Sequence, residues 1–122
     1  TVQEAARKWK QVVLLKGPYT IIASPDGTGR VSPFANPALA SAGTGDVLSG
    51  LIAALLAQGL PPFEAASCGA YIHGLAAANV SHDFGTSGLL ASDLLPEIPK
   101  AMKLLRDSLR RPIDIRFPTG SD

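Results

Sequence analysis

Apolar positions recur along this chain first at a helical spacing, then as short continuous runs, then again at helical spacing over long stretches. Val2, Ala5, Ala6 and Trp9 share one face, with Glu4, Arg7, Lys8 and Lys10 elsewhere, which predicts the end of an amphipathic helix over residues 2–10. Val12-Val13-Leu14-Leu15 is a continuous apolar run of the kind expected in a strand buried on both faces. Lys16-Gly17-Pro18-Tyr19 turns the chain into a second strand, Thr20-Ile21-Ile22-Ala23. Pro25-Asp26-Gly27 makes a turn into a third strand, Gly29-Arg30-Val31-Ser32.

After a loop from Pro33, a helix beginning at Asp46 carries Val47, Leu48, Leu51, Ile52, Leu55 and Leu56 as a wide stripe, with alanines on its other sides. Such a helix is expected to be largely buried. Gly59 suits its C-terminal cap, and Pro61 and Pro62 stop it. A helix lined with small residues follows over residues 63–80, then a loop over His82–Gly88. Ser92 or Asp93 can cap a last helix running to about Leu109, with Leu94, Leu95, Ile98, Met102 and Leu105 inward. Its basic end, Arg106, Arg110 and Arg111, complements the helix dipole, and a loose tail is expected over residues 112–122.

Short strands followed by three helices do not close a layered domain, because a sheet edge and a sheet face would stand uncovered. The order predicts the C-terminal portion of a larger α/β sandwich over residues 1–122, and the absence of an initiator Met agrees with a fragment cut from a longer protein. Uncovered apolar edges predict association into a homo-oligomer, or with the missing N-terminal part of the same fold.

Composition narrows this only modestly. The chain has 122 residues, 46% hydrophobic and 17% charged, with a net charge of +1. Nothing in that balance favours nucleic acid or an anionic membrane as a partner. The longest fully apolar run, Leu51–Ala57, is too short to cross a bilayer. No signal peptide opens the chain, and a single cysteine, Cys68, excludes an intrachain disulfide. Both fit a reducing, cytoplasmic setting. Cys68 lies among small helical residues and is expected to be a buried structural thiol.

Chemistry concentrates in Asn36-Pro37-Ala38-Leu39-Ala40-Ser41-Ala42-Gly43-Thr44-Gly45-Asp46-Val47-Leu48-Ser49-Gly50. Glycines let the backbone turn tightly and approach a ligand closely. A helix start then offers unpaired N–H groups and a partial positive charge, the makings of an anion hole. Asp46 at its mouth is a poor partner for an anion unless it takes a proton from an attacking hydroxyl. The plainer alternative is a helix cap made by Thr44 or Asp46. No His/Cys/Asp cluster suggests a transition-metal site; His82 has no partner at a useful spacing, and His73, alone among apolar residues, reads as structural.

The string Asn-Pro-x-Leu-Ala-x-x-Gly-Thr-Gly-Asp-Val-Leu-Ser-Gly resembles the nucleotide-site motif of the ribokinase-like superfamily. Within it, the chain looks most like the ADP/ATP-dependent NAD(P)H-hydrate dehydratases, the YjeF C-terminal-domain family. Lys16-Gly17-Pro18-Tyr19-Thr20 is similar to that family's Lys-Gly-x-x-Thr segment, His73-Gly74-Leu75-Ala76 to its His-Gly-Leu-Ala, and Gly88-Leu89-Leu90-Ala91-Ser92-Asp93 to its Gly-x-x-Ala-Ser-Asp. The resemblance covers most of residues 12–100.

It implies a ribokinase-like three-layer sandwich represented by its C-terminal part. It implies nucleotide contacts at Lys16, Gly17, Pro18, Tyr19 and Thr20. The amides of Gly43, Thr44 and Gly45 would sit on the phosphoryl group, and Asp46 would act as base against the substrate. It further implies ADP or ATP with Mg²⁺, and dehydration of hydrated NAD(P)H by phosphorylation and loss of phosphate. Asp93 is expected to cap a helix. A ribokinase-like kinase of a sugar or small alcohol would use the same hole and the same Asp46. A non-catalytic, self-associating fragment is the third possibility.

Overall fold

The computed structural model describes residues 1–40, 42–85 and 88–110. The expected loose tail, Arg111 and Ser41 of the glycine motif lie outside these residues. The chain runs through α1 (Val2–Trp9), β1 (Val13–Leu15), β2 (Ile21–Ala23), β3 (Gly29–Val31), a 3-10 turn (Pro37–Ala40), α2 (Thr44–Ala57), α3 (Pro62–Phe84), α4 (Ala91–Leu94) and α5 (Glu97–Arg110).

The long helix α3 is the element against which most of the rest is packed. Its small residues set how closely neighbours approach. A Cβ on Gly69 would lie 2.5 Å from Cγ1 of Ile52, so only glycine lets α2 cross there. Leu51, Leu55, Ala65, Ile72 and Ala101 join α2, α3 and α5 in one apolar cluster. Ala38, Ala76, Ala77, Val80, Leu89 and Leu94 form a second, which ties the 3-10 turn and α4 to α3. Ile22 packs on Ala66 and Ala70 of α3, with Val12, Leu14 and Phe63 around it. The Arg30 guanidinium adds a link, 3.0 Å from the Glu64 carboxylate and stacked 4.8 Å from the Phe63 ring centroid.

The sheet is an antiparallel meander in the order β1-β2-β3. Leu15 faces Ile21 across one ladder, and Ile21 faces Val31 across the next. Alternation turns these three away from the face that Leu14 and Ile22 present to α3. α1 packs on β1 and β2, where Ala6 and Ala23 are fully buried. Beyond it Leu15, Ile21 and Val31 stand 53%, 37% and 62% exposed.

Several sequence expectations change. β1 is not buried on both faces, because nothing among the described residues covers Leu15. Trp9 is exposed rather than on the buried face of α1. α2 starts at Thr44, not Asp46, and buries only the Thr44, Leu48, Leu51 and Leu55 stripe. α3 continues past Val80 to Phe84, since no residue breaks it before Gly85, so His82 is helical. The predicted last helix is two helices. Pro96 has no N–H to continue α4, and the resulting break turns Leu95 outward, 55% exposed. Cys68 is only partly buried and borders an apolar cavity of about 410 Å³ with Ile22 and Tyr71.

Candidate functional site

The Gly43-Thr44-Gly45 turn is shaped by one backbone requirement. Gly43 caps α2 at φ +85°, a left-handed conformation that costs other residues energy, and a Cβ there would sit 3.1 Å from Cβ of Ala91. The N–H groups of Asp46 and Val47 both donate to the Gly43 carbonyl, at 3.1 and 3.3 Å, which tightens the first turn. The dipole of a fourteen-residue helix therefore opens at Thr44 and Gly45.

Thr44 is fully buried and ties three elements together. Its Oγ1 donates to the Leu39 carbonyl at 2.7 Å and accepts from Lys16 Nζ at 2.6 Å. Its own carbonyl accepts a 2.9 Å bond from Nε2 of His73 on α3. Since a carbonyl can only accept, the His73 proton sits on Nε2. Burial pushes the His73 pKa below its ordinary value, the nearby Lys16 charge adds to this, and the Thr44 carbonyl opposes it. His73 is thus held neutral. Burial likewise lowers the pKa of the Lys16 ammonium.

Lys16, Gly17 and Pro18 form one wall of a cleft of about 610 Å³, and Ala35, Asn36, Pro37, Leu39 and Ala40 form the other. The second wall is pinned to α3 twice. Nδ2 of Asn36 donates to Ser81 Oγ at 3.0 Å, while its Oδ1 accepts from the Ala38 N–H at 2.9 Å. The Phe34 ring fills the notch over Gly74, where a Cβ would lie 2.3 Å from the ring, and stands edge-on to Tyr71.

The structure brings Lys16 onto the glycine turn 28 residues further along the chain. Gly17 and Pro18 share the cleft with it. Tyr19 and Thr20 do not line that cleft: Tyr19 is 52% exposed, and the Thr20 carbonyl accepts the Ser32 N–H in the sheet. Asp46 is exposed at the first turn of α2 and opens on another cleft, about 490 Å³, with Val47, Gly50, Leu95, Ile98 and Pro99. Asp93 lies inside α4 rather than at its cap, and its carboxylate accepts the N–H of the capping residue, Leu90, at 2.8 Å.

The sequence marked His73 as structural and gave Asn36 and Phe34 no role of their own. Asn before Pro was a visible cue for a side-chain-closed turn. Nothing local marks the partner of His73.

A three-stranded sheet against small-residue helices, with a glycine turn at a helix start, is a portion of the carbohydrate-kinase-like dehydratase fold. The Bacillus subtilis ADP/ATP-dependent NAD(P)H-hydrate dehydratase, co-crystallised with ATP/Mg²⁺ and soaked with CoA, superposes with a TM-score of 0.77 at 36% identity. That match covers 84% of this chain and 38% of the Bacillus chain. Residues 1–100 match the NAD(P)H-hydrate dehydratase model of the carbohydrate-kinase type, and the chain belongs to that family.

Among relatives, the bifunctional NAD(P)H-hydrate repair enzyme Nnr of Moorella thermoacetica is 45% identical over 104 residues, 85% of this chain and 20% of its own length. The ADP-dependent (S)-NAD(P)H-hydrate dehydratase of Neisseria meningitidis is 51% identical over 85 residues, 69% of this chain and 29% of its own length. This chain therefore spans about a fifth to two fifths of the proteins it matches.

Proposed function

We propose that this chain is the phosphoryl-transfer portion of a nucleotide-dependent NAD(P)H-hydrate dehydratase. The observation that carries the reading is the Lys16–Thr44 contact, which unites two separated motifs at one helix N-terminus. The nucleotide occupies the cleft walled by Lys16, Gly17 and Pro18 on one side and Asn36–Ala40 on the other. Tyr19 and Thr20 shape the turn that carries those residues, and reach the nucleotide only at its periphery. The substrate hydroxyl approaches from the Asp46 side, where apolar Leu95, Ile98 and Pro99 offer a flat ring a surface.

In the reaction Asp46 accepts the hydroxyl proton as the oxygen attacks the terminal phosphorus, and the shortened nucleotide departs. Peptide N–H groups of Gly43, Thr44 and Gly45 and the Lys16 ammonium stabilise the charge on the moving phosphoryl group. The phosphorylated carbon then loses phosphate while its neighbour loses a proton, which restores the nicotinamide double bond. Mg²⁺ would arrive on the nucleotide, and the exposed Asp46 carboxylate would be open to it. It supplies charge neutralisation on the phosphates.

The exposed Leu15–Ile21–Val31 face is where the portion of the family's fold that this chain does not span would pack. A cytoplasmic setting and assembly into a homo-oligomer belong to the same reading.

Stoichiometry tests it. The full-length protein, given NADHX and ATP, should release one phosphate for each NADH formed. A sugar or alcohol kinase would instead keep the phosphate on its product and form no NADH.

A further inference from the structure

We propose that His73 is a positioning residue for phosphoryl transfer, acting through the Thr44–Gly45 peptide; this rests on the function proposed above. His73 is 2% exposed, on a helix remote in sequence from the turn, and its Nε2–H reaches the Thr44 carbonyl at 2.9 Å. That carbonyl shares a peptide plane with the Gly45 N–H, and in a trans peptide the two groups point in opposite directions. All described peptides are trans. Holding the carbonyl inward against α3 therefore holds the Gly45 N–H outward, at the mouth of the turn.

Two consequences follow for that N–H. The Thr44–Gly45 peptide lies in the first turn of α2, where glycine offers no side chain to brace it, and the imidazole adds a fixed partner for its carbonyl. A hydrogen bond to the carbonyl also polarises the peptide, so its N–H becomes a stronger donor to developing negative charge. The same stretch of α3 docks Phe34 over Gly74 and holds Asn36 through Ser81. One helix thus sets both the cleft wall and the carbonyl of the glycine turn.

The test compares His73→Leu, His73→Gln and His73→Asn in the full-length protein. The glutamine amide can place an N–H near the Nε2 position, whereas leucine has no donor and the asparagine amide falls short. Turnover of NADHX and the ¹⁵N-glycine resonance of Gly45 are measured for each. His73→Leu is expected to lower kcat about tenfold, a fraction of what losing a whole oxyanion donor costs. KM for ATP should stay within about twofold of wild type, since ground-state binding is not what the bond serves.

The Gly45 resonance should move in His73→Leu, and both readouts should return toward wild type in His73→Gln. Equal losses in the Leu and Gln variants, or a wild-type kcat and Gly45 resonance in His73→Leu, would overturn the proposal. If His73→Leu does not fold, His73→Asn replaces it: loss there with rescue by Gln supports the role, and equal activity of Asn and Gln refutes it. A wild-type protein that never forms NADH sinks the proposed function instead, and the Gly45 resonance still decides whether His73 holds the peptide.

Discussion

Lys16 and His73 meet at Thr44 from opposite sides, one charged and one neutral, and their loss should read out differently. Lys16→Ala removes a charge-assisted partner from the nucleotide cleft. ADP should bind about tenfold more weakly by calorimetry, with the melting temperature little changed because Lys16 is on the surface. An unchanged affinity would remove Lys16 from the nucleotide site. His73 gives a pH signature. Its native pKa lies below the unfolded value of about 6.5, so the unfolded chain binds more protons in acid. Its neutral burial costs nothing above that pH, and stability falls as the pH drops through 6.5 toward the native pKa. Urea midpoints between pH 7.5 and 5 should show this decline, and His73→Gln should reduce it. Motif wording marked Lys16 and Asp46 as candidates in the sequence; the fold joins Lys16 to the glycine turn and opens Asp46 on a separate cleft. His73 looked like a core histidine, which it is, but its partner lies 29 residues away and only folding reveals it.

Among the elements, α3 decides the geometry, and its glycines are the sensitive points. Gly74→Ala puts a methyl into the Phe34 ring, since a Cβ there lies 2.3 Å from it. Overpacking of this kind should destabilise by about 1–3 kcal/mol in urea titration. It should also weaken nucleotide binding, because Phe34 anchors the Asn36–Ala40 wall. A fully stable Gly74→Ala with unchanged affinity would show that the wall does not depend on this notch. Periodicity revealed α1, α2, α3 and the three strands, but merged α4 with α5 and left the 3-10 turn as loop. The apolar stripe from Leu94 to Leu105 masked the break at Pro96, although a proline within a helical pattern announces one. At the end of α3 the polar His82-Asp83 looked like a loop, but Gly85 is the first residue whose backbone, at φ +78°, leaves the helix.

For the whole molecule, the sheet tells more than the helices about what surrounds it. The Leu15–Ile21–Val31 row is continuous across three strands and faces away from α3. The Val12–Leu15 run suggested burial on both faces, yet on the α3 side Ile22 is buried while Leu14 is only partly so, and Leu15 on the other side is exposed. Sequence alone could not say which apolar positions find cover within residues 1–122 and which stay exposed. The isolated segment should therefore self-associate, with a sedimentation coefficient above that of a 12.6 kDa monomer. Leu15→Lys with Val31→Lys should return it to a monomer by charging the exposed face. A monomer that unfolds cooperatively without those changes would mean that the row needs no cover. No described helix is long and apolar enough to cross a membrane.

Formation of NADH tests most directly whether Asp46 and the glycine turn perform nucleotide-dependent dehydration. The full-length protein and its Asp46→Asn variant would be followed by absorbance with NADHX, Mg²⁺ and either ADP or ATP. Nucleotide-dependent NADH formation in the wild type is predicted, falling about a thousandfold in Asp46→Asn while ADP binding persists, as expected when a general base is lost. Equal rates in the two proteins would contradict the role of Asp46. No NADH from a folded, nucleotide-binding wild type would contradict the function itself.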